Sequence, residues 1–110
     1  MTPRVRVVGP GRAGGSFAAV LSEVGWSVEV LPRDAPVVGA ASGTDLLLLC
    51  VPDPAVAEVA GAVAPDPSTV VAHCAASLGL DVLGAHARRA SLHPLVSMPD
   101  AAIGAARLRG

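Results

Sequence analysis

No lysine occurs among the 110 residues, and all eight basic side chains are arginines. Chemistry that depends on a lysine amine is therefore excluded from this chain. Aromatic residues are nearly missing too, with Phe17 and Trp26 alone, so the 52% hydrophobic content is carried by Ala, Val and Leu. Such small aliphatic side chains suit helices packed on a parallel sheet. A formal net charge of -1, with no basic stripe interleaved with aromatics, leaves no field to collect nucleic acid or an anionic membrane surface. No apolar run approaches membrane-spanning length, and Met1-Thr2-Pro3-Arg4 leads straight into strand-like sequence without a signal-peptide core. A cytoplasmic location is expected. Cysteine is scarce: Cys50 and Cys74 each close an apolar strand, and reduced buried thiols are expected rather than a disulfide.

What is present is a glycine pattern in a telling place. Gly9-Pro10-Gly11-Arg12-Ala13-Gly14 follows the valine-rich, strand-like segment Val5 to Val8 and opens an amphipathic segment. Strand, G-x-G-x-x-G and helix in that order form a dinucleotide-binding fingerprint. The first glycine permits the tight turn, the second lets the backbone approach a pyrophosphate, and the third lets helix and strand pack closely. The helix then turns its free N–H groups and the positive end of its dipole toward the phosphates. Arg12 can pair with a phosphate or simply cover the helix end.

The rest of the chain alternates strands and helices, which predicts an α/β, doubly wound, mostly parallel sheet of the Rossmann type in a single domain. Strands are expected near Arg4 to Val8, Trp26 to Leu31, Leu46 to Val51, Thr69 to His73 and Ser91 to His93. Helices are expected near Arg12 to Val24, with Ala13, Phe17, Val20, Leu21 and Val24 on one face, and from Pro54 to Ala64 with Asp53 as N-cap. A further helix is expected near Leu80 to Ala90. Arg33 to Thr44 is short and rich in Gly, Ala and Pro, so the usual helix and edge strand there are expected to be reduced or missing. Residues 1–95 read as the dinucleotide-binding domain, and 96–110 as a tail or the start of a further helical domain.

In such sheets ligands sit beyond the carboxyl ends of the strands. At the end of the second strand an acid would hold the ribose hydroxyls of NAD, whereas an arginine accommodates the 2′-phosphate of NADP. Leu31-Pro32-Arg33-Asp34 puts proline at the acid position with Arg33 after it. NADP is therefore preferred, while Asp34 keeps NAD open.

Four segments in order resemble a known family: Gly9 to Gly14, Leu47 to Asp53, His73 to Leu83, and Ser91 to Leu95. Together they are similar to the Rossmann-like oxidoreductases that carry a C-terminal domain of unknown function. That group stands with the phosphogluconate dehydrogenase-like enzymes, ketopantoate and pyrroline-carboxylate reductases among them. The resemblance implies an NADP-linked reductase of a small keto acid or imine whose helical second domain completes the substrate pocket and often a homodimer. It also implies cofactor contacts from Val51, Pro52 and Asp53, and a nicotinamide-side contact from Ser77. Two departures stand out: Ala75-Ala76 replaces the usual Ser-Gly pair, and the lysine of ketopantoate reductases has no counterpart.

Hydride transfer is the cofactor's chemistry, so the protein must supply orientation and a proton donor. His93, at the carboxyl end of the last expected strand, is the candidate donor, although a histidine there can equally cap the strand. Asp53 can cap a helix or act as a base. His73, Cys74, Cys50 and His93 could be imagined around zinc, but their spacing matches no zinc motif and core packing is the simpler reading. Two other functions compete with the reductase domain: a non-catalytic dinucleotide-binding or dimerisation module, and a methyltransferase, which normally needs an acid where Pro32 stands.

Overall fold

The computed structural model describes residues 2–9, 11–32, 34–75 and 77–91. Five short strands pair in parallel, the first four rich in valine or leucine: β1 (Arg4–Val8), β2 (Ser27–Leu31), β3 (Leu46–Leu49), β4 (Val70–His73) and β5 (Arg88–Ser91). Their spatial order is β2-β1-β3-β4-β5, so the opening strand lies inside the sheet between β2 and β3. This is the expected doubly wound topology, with the chain reversing direction across the sheet at β1 and β3.

The period-2 alternation of strand side chains divides the core into two layers. Val5, Val7, Leu48 and Ala72 face one side, where Phe17 and Leu21 of helix α1 (Arg12–Glu23) and Trp26 pack on them. Val8, Leu47, Leu49 and Val71 face the other, under Val56 and Ala60 of helix α2 (Val56–Ala62), Val63 and Leu83. Leu47, Leu48 and Leu49 have no exposed surface, as befits a central parallel strand buried on both faces. Among the described residues no helix is long and apolar enough to cross a membrane.

Helix α1 ends in a Schellman turn, with the Gly25 N–H on the Ser22 carbonyl and the Trp26 N–H on the Leu21 carbonyl. Trp26 thus takes the apolar place beside Leu21. Val24, expected on the packed face, is 66% exposed, because the helix has already ended at Glu23.

Two other expectations fail. The helix predicted over Leu80 to Ala90 is a single 3-10 turn, Leu80–Leu83, stopped by Gly84 at φ +58, a left-handed conformation that does not continue a helix. The chain then enters β5 at Arg88, ahead of the strand predicted for Ser91 to His93. Asp53 is not an N-cap: Pro52 holds that position, Asp53 and Pro54 begin a 3-10 turn (Asp53–Ala55), and no side chain caps it. The Asp53 carboxylate instead accepts a hydrogen bond from Ser77 Oγ at 3.0 Å.

The reduced crossover is as expected: from Pro32 to Asp45 the described residues form turns without helix or strand. Its backbone groups pair partly with one another and partly with side chains from β1 and from the residue before β4. Arg6 of β1 donates from Nη1 to the carbonyls of Ala40 at 2.6 Å and Ser42 at 2.8 Å, while its Nε pairs with Glu29 at 2.6 Å. The buried Thr69 hydroxyl reaches the Ala41 carbonyl from the far side.

Candidate functional site

The three glycines of the fingerprint occupy three different environments. Gly9 has φ +102, and a β-carbon on it would overlap the Cys50 carbonyl oxygen at the end of the neighbouring strand. Any other residue there would both strain the backbone and collide with β3. A β-carbon on Gly14 would overlap the Gly9 carbonyl oxygen and stand 3.2 Å from Val7 Cγ1, so the first turn of α1 lies directly on the loop and on β1. Gly11 is the opposite case, since nothing lies within 4 Å of where its β-carbon would be. Two glycines let protein pack on protein, and the third faces open space at the mouth of the helix. That is the division of labour a diphosphate cradle requires.

Gly11 is also the N-cap of α1, in extended backbone, with no side-chain hydrogen bond at the cap. The Gly11 carbonyl accepts from the Gly15 N–H at 2.9 Å, closing the first helical turn. No acidic residue stands in that turn, so the turn itself carries nothing that offsets the positive end of the helix. Ala13 lies in the turn with its side chain half-buried.

The loops after β3 and β4 complete the same edge. The Cys50 N–H donates to the Val8 carbonyl at 2.8 Å, which fixes the end of β3 beside the glycine loop. Val51 is half-buried against the α2-side core, whereas Pro52 and Asp53 are exposed. The hydrogen bond between Asp53 and the exposed Ser77 ties the two loops together. Val51, Pro52, Asp53 and Ser77 are therefore gathered with Gly9, Gly11, Ala13 and Gly14 at the carboxyl edge, on three neighbouring strands.

Cys50 and Cys74 are free and half-buried rather than sealed in the core, with their sulfurs 3.3 Å apart. The Cys50 thiol is pushed up, first by its hydrogen bond with Cys74 and then by burial. The Cys74 thiol is lowered because its thiolate accepts that hydrogen bond. His73 is fully committed to backbone. The Ala75 N–H donates to Nδ1 at 3.0 Å, so Nε2 carries the proton and donates to the Gly79 carbonyl at 2.9 Å. Neither ring nitrogen is open to a metal. Among the described residues no group of three His, Cys, Asp or Glu side chains is arranged to hold one.

Pro10, Arg33, His93 and residues 96–110 lie outside the described residues, as does the Arg12 side chain. Pro32 directly follows β2, where the sequence placed it. The sequence reading missed Arg6, Thr69 and His86. His86 is buried and donates from Nε2 to the Ala60 carbonyl at 3.0 Å, joining the segment before β5 to α2, while its buried Nδ1 has no partner among the described residues. Its sole signal was a histidine in an otherwise apolar stretch.

A broad depression of about 800 Å³ lies at the opposite, amino edge of the sheet, lined by Thr2, Arg4, Ser27, Gly43, Thr44, Asp45 and Ser68. Its best polar groups are already engaged, with Asp45 accepting the Arg4 N–H at 2.8 Å and the Thr44 hydroxyl 2.9 Å from the Arg4 carbonyl. Parallel sheets bind ligands at the other edge.

No protein-family model and no curated protein matches the chain. Two solved structures resemble its fold. A Bacteroides fragilis protein assigned as an NADP oxidoreductase superposes on 90% of this chain with a TM-score of 0.71 and 14% identity, using 46% of its own length. A ketopantoate reductase of the PanE/ApbA family from Ralstonia eutropha superposes on 80% of this chain with a TM-score of 0.62 and 20% identity, using 40% of its own length. At these identities the likeness is one of fold. The chain is thus a Rossmann-like parallel α/β domain that spans less than half the length of either oxidoreductase.

Proposed function

We propose that the chain is the dinucleotide-binding domain of an NADP-linked reductase acting on a small keto acid or imine, and that it is not catalytically complete by itself. The observation that carries this reading is the glycine loop: Gly9 and Gly14 sit where a side chain would collide with backbone, and Gly11 borders open space at an uncapped helix start. A diphosphate seated there would accept hydrogen bonds from the amides of the first helical turn, with Arg12 available to pair with one phosphate. Val51, Pro52 and Asp53 would border the nearer ribose, and Ser77, held by Asp53, would stand toward the nicotinamide. Arg33, after Pro32, supports NADP over NAD by meeting the 2′-phosphate. Bound NADPH supplies the hydride, and His93 is the proton donor proposed from this chain.

The likeness in fold to two oxidoreductases, each more than twice the matched length, supports an incomplete site. A thermal-shift titration tests the reading. A ligand that binds only the native state raises stability by about 2.7 kcal/mol at a hundredfold excess over Kd, so NADPH should raise the melting temperature more than NADH. No response to either at millimolar concentration would defeat it. The purified chain with NADPH and a keto acid should give no sustained oxidation, and turnover would contradict the incompleteness.

A second reading, a dinucleotide-binding dimerisation module without catalysis, is favoured by β2, an edge strand among the described residues on which Ser27, Glu29 and Val30 are exposed. Sedimentation as a clean monomer at high concentration would remove it.

A further inference from the structure

We propose that Cys50 and Cys74 form an intramolecular disulfide when the protein meets a hydroperoxide, which makes the carboxyl edge of the sheet a site of reversible oxidative modification. This goes beyond cofactor binding, and the bond itself does not depend on that reading.

The geometry is already close to that of the product. Leu49 and His73 are the last register partners of the parallel neighbours β3 and β4, and the cysteines are the residues that directly follow each strand. Such neighbours stand about 4.8 Å apart, within the range of about 4.4–6.8 Å that disulfides span between α-carbons. The sulfurs are 3.3 Å apart, so a bond of about 2.05 Å needs an approach of little more than about 1 Å. Both side chains keep partial exposure, so a small oxidant can reach them.

The chemistry divides between the two thiols. The two sulfurs are in hydrogen-bond contact, so ionisation of one is stabilised by the S–H of the other, and Cys74, the thiol that this contact lowers, is the attacking group. Its sulfur displaces hydroxide from the peroxide and becomes a sulfenic acid. Cys50 then attacks that sulfur, loses its proton, and releases water as the S–S bond forms. In sum two thiols and one hydrogen peroxide give one disulfide and two waters; the sulfurs are oxidised by two electrons and the peroxide is reduced. A dithiol reductant reverses the change.

Cys50 is also the residue on which the glycine loop rests: its carbonyl abuts Gly9 and its N–H donates to Val8. Since β3 lies between β1 and β4, closing the disulfide draws Cys50 away from that loop.

The test uses the full chain, reduced and then exposed to equimolar hydrogen peroxide, alkylated under denaturing conditions and weighed. Expected are a loss of two hydrogens, no alkylation, and a peptide linking residues 50 and 74 in the monomer. Two alkylated cysteines, or a disulfide only between chains, would overturn the proposal. Cys50→Ser should leave a Cys74 sulfenic acid that dimedone traps, whereas Cys74→Ser should lose at least about tenfold in oxidation rate. Equal rates in the two variants would overturn the assignment of Cys74 as the attacking thiol. The Cys50 amide should exchange with solvent severalfold faster in the oxidised protein than in the reduced one; unchanged exchange would remove the link to the loop.

Discussion

Replacing Gly14 by alanine probes the tightest spot among the described glycines. Within a helix this exchange is ordinarily favourable, by about 1 kcal/mol, because alanine loses less backbone entropy than glycine. Here the added methyl would overlap the Gly9 carbonyl oxygen and press on Val7 Cγ1. A β-carbon has no rotamer with which to escape, so either α1 or the loop must move. Overpacking of this kind costs about 1–3 kcal/mol and occasionally more, which outweighs the helix gain in all but the mildest case. A net loss of up to about 2 kcal/mol is expected, with the melting temperature falling about 4–8 °C per kcal/mol for a domain of this size. Gly61→Ala in α2 is the internal control, since Gly61 has nothing within 4 Å of the added carbon. It should stabilise by up to about 1 kcal/mol. Thermal and urea unfolding of both variants decide the matter. If Gly14→Ala proves as stabilising as Gly61→Ala, the first turn of α1 does not rest on the loop and the cradle geometry is wrong.

Arg6→Met should cost about 1.5–3 kcal/mol, because it removes charged donors from the Ala40 and Ser42 carbonyls. Glu29→Gln should stay within about 0.5 kcal/mol, since that carboxylate is 59% exposed; urea midpoints separate the two. Thr69→Val keeps the shape but leaves the Ala41 carbonyl unpaired at a buried site, for an expected loss of about 1–3 kcal/mol in the same assay. The Ser68 hydroxyl and N–H hold the Asp66 carboxyl below its ordinary range, so Ser68→Ala should raise its NMR titration midpoint. The sign follows from linkage: a carboxyl lowered by folding stabilises above its unfolded value, and that contribution disappears as pH falls through the folded one.

The layers and the glycine loop were legible in sequence because their signals are local. Leu46 to Leu49 could be little but a doubly buried strand, and the order of strand, glycines and helix named the loop. Arg33 to Thr44 was also readable, since Gly, Ala and Pro there sustain neither a helix nor a strand. The 3-10 turn at Leu80–Leu83 was not, because the apolar spacing from Leu80 to Ala90 satisfies a helix until Gly84 reverses the backbone. Asp53 was misread as a cap for a similar reason: its partner, Ser77, lies 24 residues away. Long-range pairings of this sort, like Arg6 with the Ala40 carbonyl and Cys50 with Cys74, follow from topology and leave no trace in residue spacing.

An amide NMR titration of the chain with NADPH addresses the glycine loop most directly. Saturable shifts are expected at Gly9 and at Gly11 to Gly15, with smaller ones at Val51, Asp53 and Ser77, and Gly11→Asp should abolish them while leaving the fold intact. Shifts confined to the amino edge around Arg4, Ser27 and Thr44, or no shifts at all, would contradict a diphosphate seat at the start of α1.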